Sequence, residues 1–179
     1  MTSSSEAATL DSQSFRQALG QFPTGVCVVT CTAAGELLGM TVSSFNSLSL
    51  DPPLVLFSVD RRSASLRSWE QAEGYAINVL ADNQRDVSTR FAKSRANKSE
   101  GVSYATGCFG APVLPGVAAV FECAAWARHD GGDHTLFIGE VRRFRAAVDR
   151  HPLVFGKGRY ATIQPTEFVA PLWPLDIHY

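Results

Sequence analysis

Two strand-length patterns, AAVFECAAWARH and HTLFIGEVRRFRAAV (residues 118–129 and 134–148), lie on either side of Asp130, Gly131, Gly132 and Asp133. Glycine reaches positive φ without a Cβ penalty, so the tetrad reads as a hairpin turn and the two patterns as antiparallel neighbours. Another hairpin precedes it: GVCVVTC is β-branched and apolar, TAAGE turns and LLGMTV returns. LVLFSV and YAINVL add two strands, and PLVF a short late one. Helical patterns are few. One starts after Asp11, with Phe15, Ala18 and Leu19 at helical spacing, and stops at Gly20. A second is capped by Ser63, with Leu66 and Trp69 on one face, and a third runs through DNQRDVSTRFAK, with Val87 and Phe91 four apart. Residues 101–116 are Gly-rich and weakly patterned. Strands joined by hairpins rather than by helical crossovers leave a mainly β fold, a small antiparallel barrel with peripheral helices, as the closed solution.

At 179 residues, 45% of them hydrophobic, the chain suits one domain with one sizeable core. Residues 1–10 are small and polar and read as a disordered arm, 11–163 as the folded domain, and 164–179 as a proline-spaced extended tail. Phe168, Leu172 and Trp173 in that tail would be costly to leave in water, and a second subunit or the chain's own barrel would cover them. Sixteen Lys and Arg against 17 Asp and Glu leave no basic excess for a nucleic acid or an acidic membrane surface. No apolar run reaches the roughly 20 residues that span a bilayer, and MTSSSEAATL lacks the charge and hydrophobic stretch of a signal peptide, so the expectation is a cytoplasmic protein. Cys27, Cys31, Cys108 and Cys123 form no CxxC, and Cys27, Cys31 and Cys123 sit in apolar strand patterns as reduced, buried thiols.

Several motifs carry no chemistry. GKGRYA spells a dinucleotide-binding turn, but too little chain follows to build the helix and strand that such a turn needs. There is no G-x-S-x-G, and no serine or cysteine has the surroundings of an activated nucleophile. His129 and His134 lie five apart across a turn, without a third ligand to complete a metal site, so no metal is expected.

GMTVSSFNSLSLDPPLVLFSV gathers Thr41, Ser43, Ser44, Ser47 and Ser49 at the lip of an apolar strand. Hydroxyls and strand-end amides can hold a phosphate through neutral hydrogen bonds, and alternation would turn Thr41 and Ser43 to one side with Val42 and Ser44 to the other. The same residues also suit a β-edge and a turn, with Ser47, Ser49 and Asp51-Pro52-Pro53 closing a loop by local side-chain to backbone bonds.

With FPTGVCVVT before it and YAINVLADNQRDVSTRFA, GDHTLFIGEV and PLVFGKGRY after it, this stretch resembles the short-chain flavin reductase family, the reductase components of two-component flavin-dependent monooxygenases. The likeness runs from about Phe15 to Tyr160. It implies a homodimeric split β-barrel that binds FMN or FAD, takes a hydride from NADH or NADPH and releases reduced flavin to a separate oxygenase. Carried over position by position, it assigns flavin contacts to Thr41, Val42, Ser43, Ser44, Phe45, Asn46 and Ser47. It does the same for Ser58, Arg61, Ser63 and Ser65, and for Phe91, Ala92 and Lys93. Gly132, Asp133 and His134 take the nicotinamide side, with His134 beside the flavin ring. Pro23 and Thr24 match a region close to the isoalloxazine, and Arg159 and Tyr160 match the late GRY.

Hydride transfer between two such cofactors is their own chemistry, so binding groups without a catalytic dyad are what this activity requires. His134 is expected to orient nicotinamide and not to act as a nucleophile. Two other readings use the same barrel: a flavoprotein that retains its flavin and reduces another acceptor, and a non-catalytic flavin-binding module. A dimeric barrel without a ligand is a third.

Overall fold

The protein is described from a computed structural model, over residues 11–93 and 101–164. The expected arm over 1–10, the tail beyond Gln164 and its Phe168, Leu172 and Trp173 lie outside the described residues. In chain order the elements are α1 (Ser12–Leu19), β1 (Thr24–Gly25), β2 (Cys27–Ala33), β3 (Glu36–Val42), β4 (Asn46–Leu50) and β5 (Pro53–Asp60). Next come α2 (Leu66–Gln71), β6 (Gly74–Val79), α3 (Arg85–Ala92), β7 (Ala105–Thr106) and a 3₁₀ turn (Cys108–Gly110). β8 (Pro112–Val113), β9 (Ala119–Gly131), β10 (His134–Ala146), β11 (Val154–Gly156) and β12 (Arg159–Ala161) complete the chain.

Seven strands form one antiparallel sheet in the order β3-β2-β6-β9-β10-β5-β4. Its two edge strands are consecutive in the chain and joined by residues 43–45 alone. Six strand spacings laid flat would separate the edges by about 29 Å, whereas that link spans at most about 14 Å. The sheet therefore curls into a barrel with a seam between β3 and β4, the split antiparallel barrel expected from the resemblance. The long hairpin is β9 and β10, paired from His134 opposite Gly131 to Ala146 opposite Ala119 with register shifts between Ile138 and Gly139 and between Val141 and Arg143. Its turn is two residues: Gly132 has φ 76°, the first position of a type II′ turn, and Gly131 remains in β9. GKGRYA forms the hairpin between β11 and β12, with positive φ at Lys157 and Gly158.

The barrel interior holds Val29, Cys31, Val55, Val59, Ile77 and Cys123 around four aromatic rings. Phe57 stacks on Phe137 (5.3 Å) and meets Tyr75 and Trp69 edge-on at 5.1 and 6.1 Å. Trp69 comes from α2, which plugs one end of the barrel. The cap position of α2 is Ser65 and not the expected Ser63; Ser63 sits one turn-step earlier, its carbonyl accepting the Leu66 amide. β2 is buried on both faces, which explains its unbroken apolar run. Its outer face meets a second core of Val26, Val28, Leu80, Phe91, Leu114 and Leu153 beneath α3 and residues 111–117. α1 is capped by the Asp11 carboxylate and stopped at Gly20 as expected, but Phe15 and Leu19 are exposed on it.

Residues 101–116 owe their course to polar groups buried in the sheet. Asn78 donates to the Val28 carbonyl (3.0 Å) and accepts the Leu114 amide (2.9 Å), and Thr32 Oγ1 donates to the Gly110 carbonyl (2.8 Å). Glu122, fully buried on β9, accepts both Arg143 Nε and Nη2 at 2.7 Å and the Cys108 amide at 2.7 Å. The Arg143 hydrogen bonds hold its carboxyl below the ordinary glutamate value. A lowered folded-state pKa contributes stability above the unfolded value and loses it as pH falls. Urea unfolding of Glu122→Gln is therefore expected to show a shallower loss of stability below about pH 4.3 than wild type; identical acid limbs would refute this.

Candidate functional site

The barrel seam carries the hydroxyl cluster, and the structure divides its members among different tasks. Val42 closes β3 in the core, and Thr41 beside it donates its hydroxyl to the Ser88 carbonyl of α3 at 2.7 Å. Thr41 is thus committed to α3 and does not form an open pair with Ser43. Strand geometry stops at Val42. Ser43 is exposed without a side-chain partner among the described residues, and Ser44 Oγ accepts the Ser58 amide at 3.0 Å, tying the seam to β5. Phe45 turns into the barrel mouth, 5.5 Å from the Phe121 ring. Asn46, Ser47 and Ser49 belong to the edge strand β4 and a turn follows at Asp51 and Pro52, which is the β-edge and turn alternative for these residues. The Asp51–Pro52 peptide, which is cis, leads from β4 to β5.

A second group surrounds the end of β5. The Arg61 amide donates to the Asp133 carbonyl (2.9 Å), its Nε to the His134 carbonyl (3.4 Å) and its Nη2 to Asp130 (2.8 Å). Arg62 grips Asp60 at 3.1 and 2.7 Å and holds that carboxyl far below the usual carboxylate range. Ser63 Oγ and Ser65 Oγ lie 3.1 Å apart. His134 opens β10 directly opposite Asp60, half-exposed, with Nδ1 2.7 Å from Asp133 Oδ1. That hydrogen bond lowers the Asp133 carboxyl and leaves Nε2 as the ring nitrogen free for a ligand. Ser44 and Ser58 are thus joined midway along β5, and Arg61, Asp133 and His134 at its end.

The third group lies across α3. Thr24 pairs with Phe155, whose ring meets Tyr160 edge-on at 5.4 Å, and the Tyr160 hydroxyl bonds Ser88 Oγ at 2.9 Å. Pro23 packs against Gly156, where a Cβ would approach it to 3.2 Å. Phe91 faces inward on Gly39, and an added Cβ there would lie 2.4 Å from its ring. Ala92 and Lys93 are exposed at the end of α3, and Arg159 is exposed on β12 with no side-chain partner among the described residues. Sequence reasoning missed Ser88, Asp60 and Asp130. Ser88 alone left a signal, standing three residues before Phe91 on the buried face of a helix.

The site offers donors, not a reacting dyad. Cys27, Cys31 and Cys123 are removed from thiolate chemistry, because burial pushes each thiol up to about 12. Hydroxyls, amides and a solvent-facing imidazole can bind and orient a ligand that brings its own chemistry. Residues 19–164 match the model of the flavin reductase like domain. The chain belongs to that family. It is 45% identical over 150 residues to the FMN reductase (NADH) SmoA of Agrobacterium fabrum, an alignment covering 84% of this chain and 85% of that one. It is 36% identical over 171 residues to the reductase subunit HsaB of a flavin-dependent monooxygenase from Rhodococcus jostii, covering 96% and 88%. The NADH:FAD oxidoreductase SgcE6 of Streptomyces globisporus, solved with NAD and FAD fragments, superposes with a TM-score of 0.84 at 34% identity, over 90% of this chain and all of that one. As a flavin reductase the chain is an oxidoreductase.

Proposed function

We propose that the chain passes a hydride from NADH or NADPH to FMN or FAD and releases the reduced flavin to a separate oxygenase. The observation that carries this is the pair of polar groups set along β5, Ser44 bonded at Ser58 and Arg61 bonded at His134. Its donor set fits a flavin nucleotide: Ser44 spends a lone pair on the Ser58 amide and keeps its own proton to donate, and Ser43, Ser63 and Ser65 add neutral hydroxyls. Neutral donors hold a phosphate without the grip of an arginine cluster, which suits a flavin that must leave. When bound, the flavin and nicotinamide supply the hydride chemistry themselves. The residues of this chain bind and orient. His134 presents Nε2 toward the nicotinamide side, Asp133 fixes its ring, and Arg61 locks the end of β5 to the hairpin. Lys93 after α3 and Arg159 on β12 are exposed and join the lining. Pro23, Thr24, Val42, Phe45, Asn46, Ser47, Phe91, Ala92 and Gly132 complete the lining.

The unit that does this is residues 11–163, acting as a homodimer in the cytoplasm. The exposed Phe15 and Leu19 of α1 and Leu50 of β4 support dimer formation, and four free cysteines suit a reducing compartment. NADH consumption at 340 nm (the nicotinamide absorbance) in air, with and without added FMN, FAD or riboflavin, is expected to depend on added flavin. Oxidation by a purified yellow protein without added flavin would instead select the retained-flavin reading. Silence with both NADH and NADPH would overturn the proposal.

A further inference from the structure

Ser88 is fully buried in the middle of α3, a position where serine is a poor helix former and packing alone would favour an apolar side chain. Its hydroxyl bonds the Tyr160 hydroxyl at 2.9 Å, and its main-chain carbonyl, which any residue here would supply, accepts the Thr41 hydroxyl at 2.7 Å. Thr41 is the last outward residue before the seam link that carries Ser43 and Ser44. Tyr160 is braced by Phe155, which pairs with Thr24, and α3 itself ends in Phe91, Ala92 and Lys93. Position 88 thus joins α3 directly to β3 and β12, and through Tyr160 and Phe155 to β1.

We infer that Ser88 is a positioning residue for flavin, its hydroxyl holding the β11–β12 hairpin against α3, whose main chain anchors the seam, in the arrangement that receives the nucleotide. The inference rests on the flavin-reductase reading of the site. A loose supporting shell displaces a binding constellation without unfolding the protein, so the loss falls on flavin affinity and leaves turnover at saturating flavin intact.

The test compares wild type with Ser88→Ala, Tyr160→Phe and the double variant, reading flavin KM, NADH KM, kcat, Tm and direct flavin titration by fluorescence quenching. Ser88→Ala is expected to weaken flavin binding roughly five- to tenfold, the scale of one lost buried hydrogen bond, with kcat and NADH KM unchanged. Tyr160→Phe keeps the ring against Phe155 and is expected to reproduce that loss, the double variant adding little to it. Additive losses would mean that the Tyr160 hydroxyl acts without Ser88 and would overturn the inference, as would a lowered Tm with unchanged flavin affinity. Wild type that binds no flavin would overturn the functional reading and this inference together, whereas binding wild type with an indifferent Ser88→Ala defeats the inference alone.

Discussion

His134→Ala is expected to lower kcat/KM for NADH about ten- to a hundredfold while flavin affinity stays within twofold. The size follows from loss of one oriented hydrogen-bonding group beside the reacting pair. The effect should be confined to the nicotinamide because of where the ring sits. The His134 backbone is fixed in β10 opposite Asp60 and Gly131, and its carbonyl receives Arg61, none of which needs the imidazole. The side chain itself is half-exposed and touches Asp133, so its removal opens no core cavity. Steady-state kinetics at saturating flavin, with NADH varied, checks this. Unchanged NADH KM and turnover would remove His134 from the nicotinamide side. Asp133→Asn separates ring orientation from ring presence: it keeps the imidazole and alters only its tether.

The largest stability effect is expected at a residue with no part in binding. Gly74→Ala should lower Tm by roughly 2–12 °C, from an overpacking cost of about 1–3 kcal/mol at about 2–4 °C per kcal/mol for a domain of this size. A Cβ at Gly74 would lie 2.5 Å from the Cys123 carbonyl oxygen and 2.5 Å from the Phe109 ring. The carbonyl belongs to β9 in its ladder with β6, where Gly74 faces Ala124, so relief requires parting the two strands. The Phe109 ring is exposed and can turn aside, so the carbonyl sets most of the cost. Scanning calorimetry of Gly74→Ala and of Gly74→Ala with Phe109→Ala tests the account. The second variant should regain only the part due to the ring, and a Tm within a degree of wild type for the first would refute it.

The elements visible in the sequence were those whose side chains repeat with a clear period. β2 with β3, β5, β6, and the β9–β10 pair all coincide with apolar or alternating runs, and α1 and α3 with apolar residues three and four apart. β4 was not visible. Asn46–Leu50 alternates serine with leucine at an edge, has Leu50 exposed, and is a strand only because β5 pairs with it. β7 and β8, of two residues each, carry no period at all.

The candidate site shows the same division. Its residue types were legible because hydroxyls crowd into one stretch and a histidine sits at a hairpin end, and the family resemblance gave those residues their assigned roles. Which hydroxyls remain open to a ligand was not legible. Thr41 is spent on Ser88, Ser44 on Ser58, and Ser88 on Tyr160, partners 47, 14 and 72 residues apart in the chain. Local composition and period are properties of neighbouring residues, and they determined that this chain makes a hairpin-built β protein with a polar cluster at one lip. Hydrogen-bond partnership between distant residues exists only once the barrel has closed, and that closure decided which members of the cluster hold the protein together and which face outward.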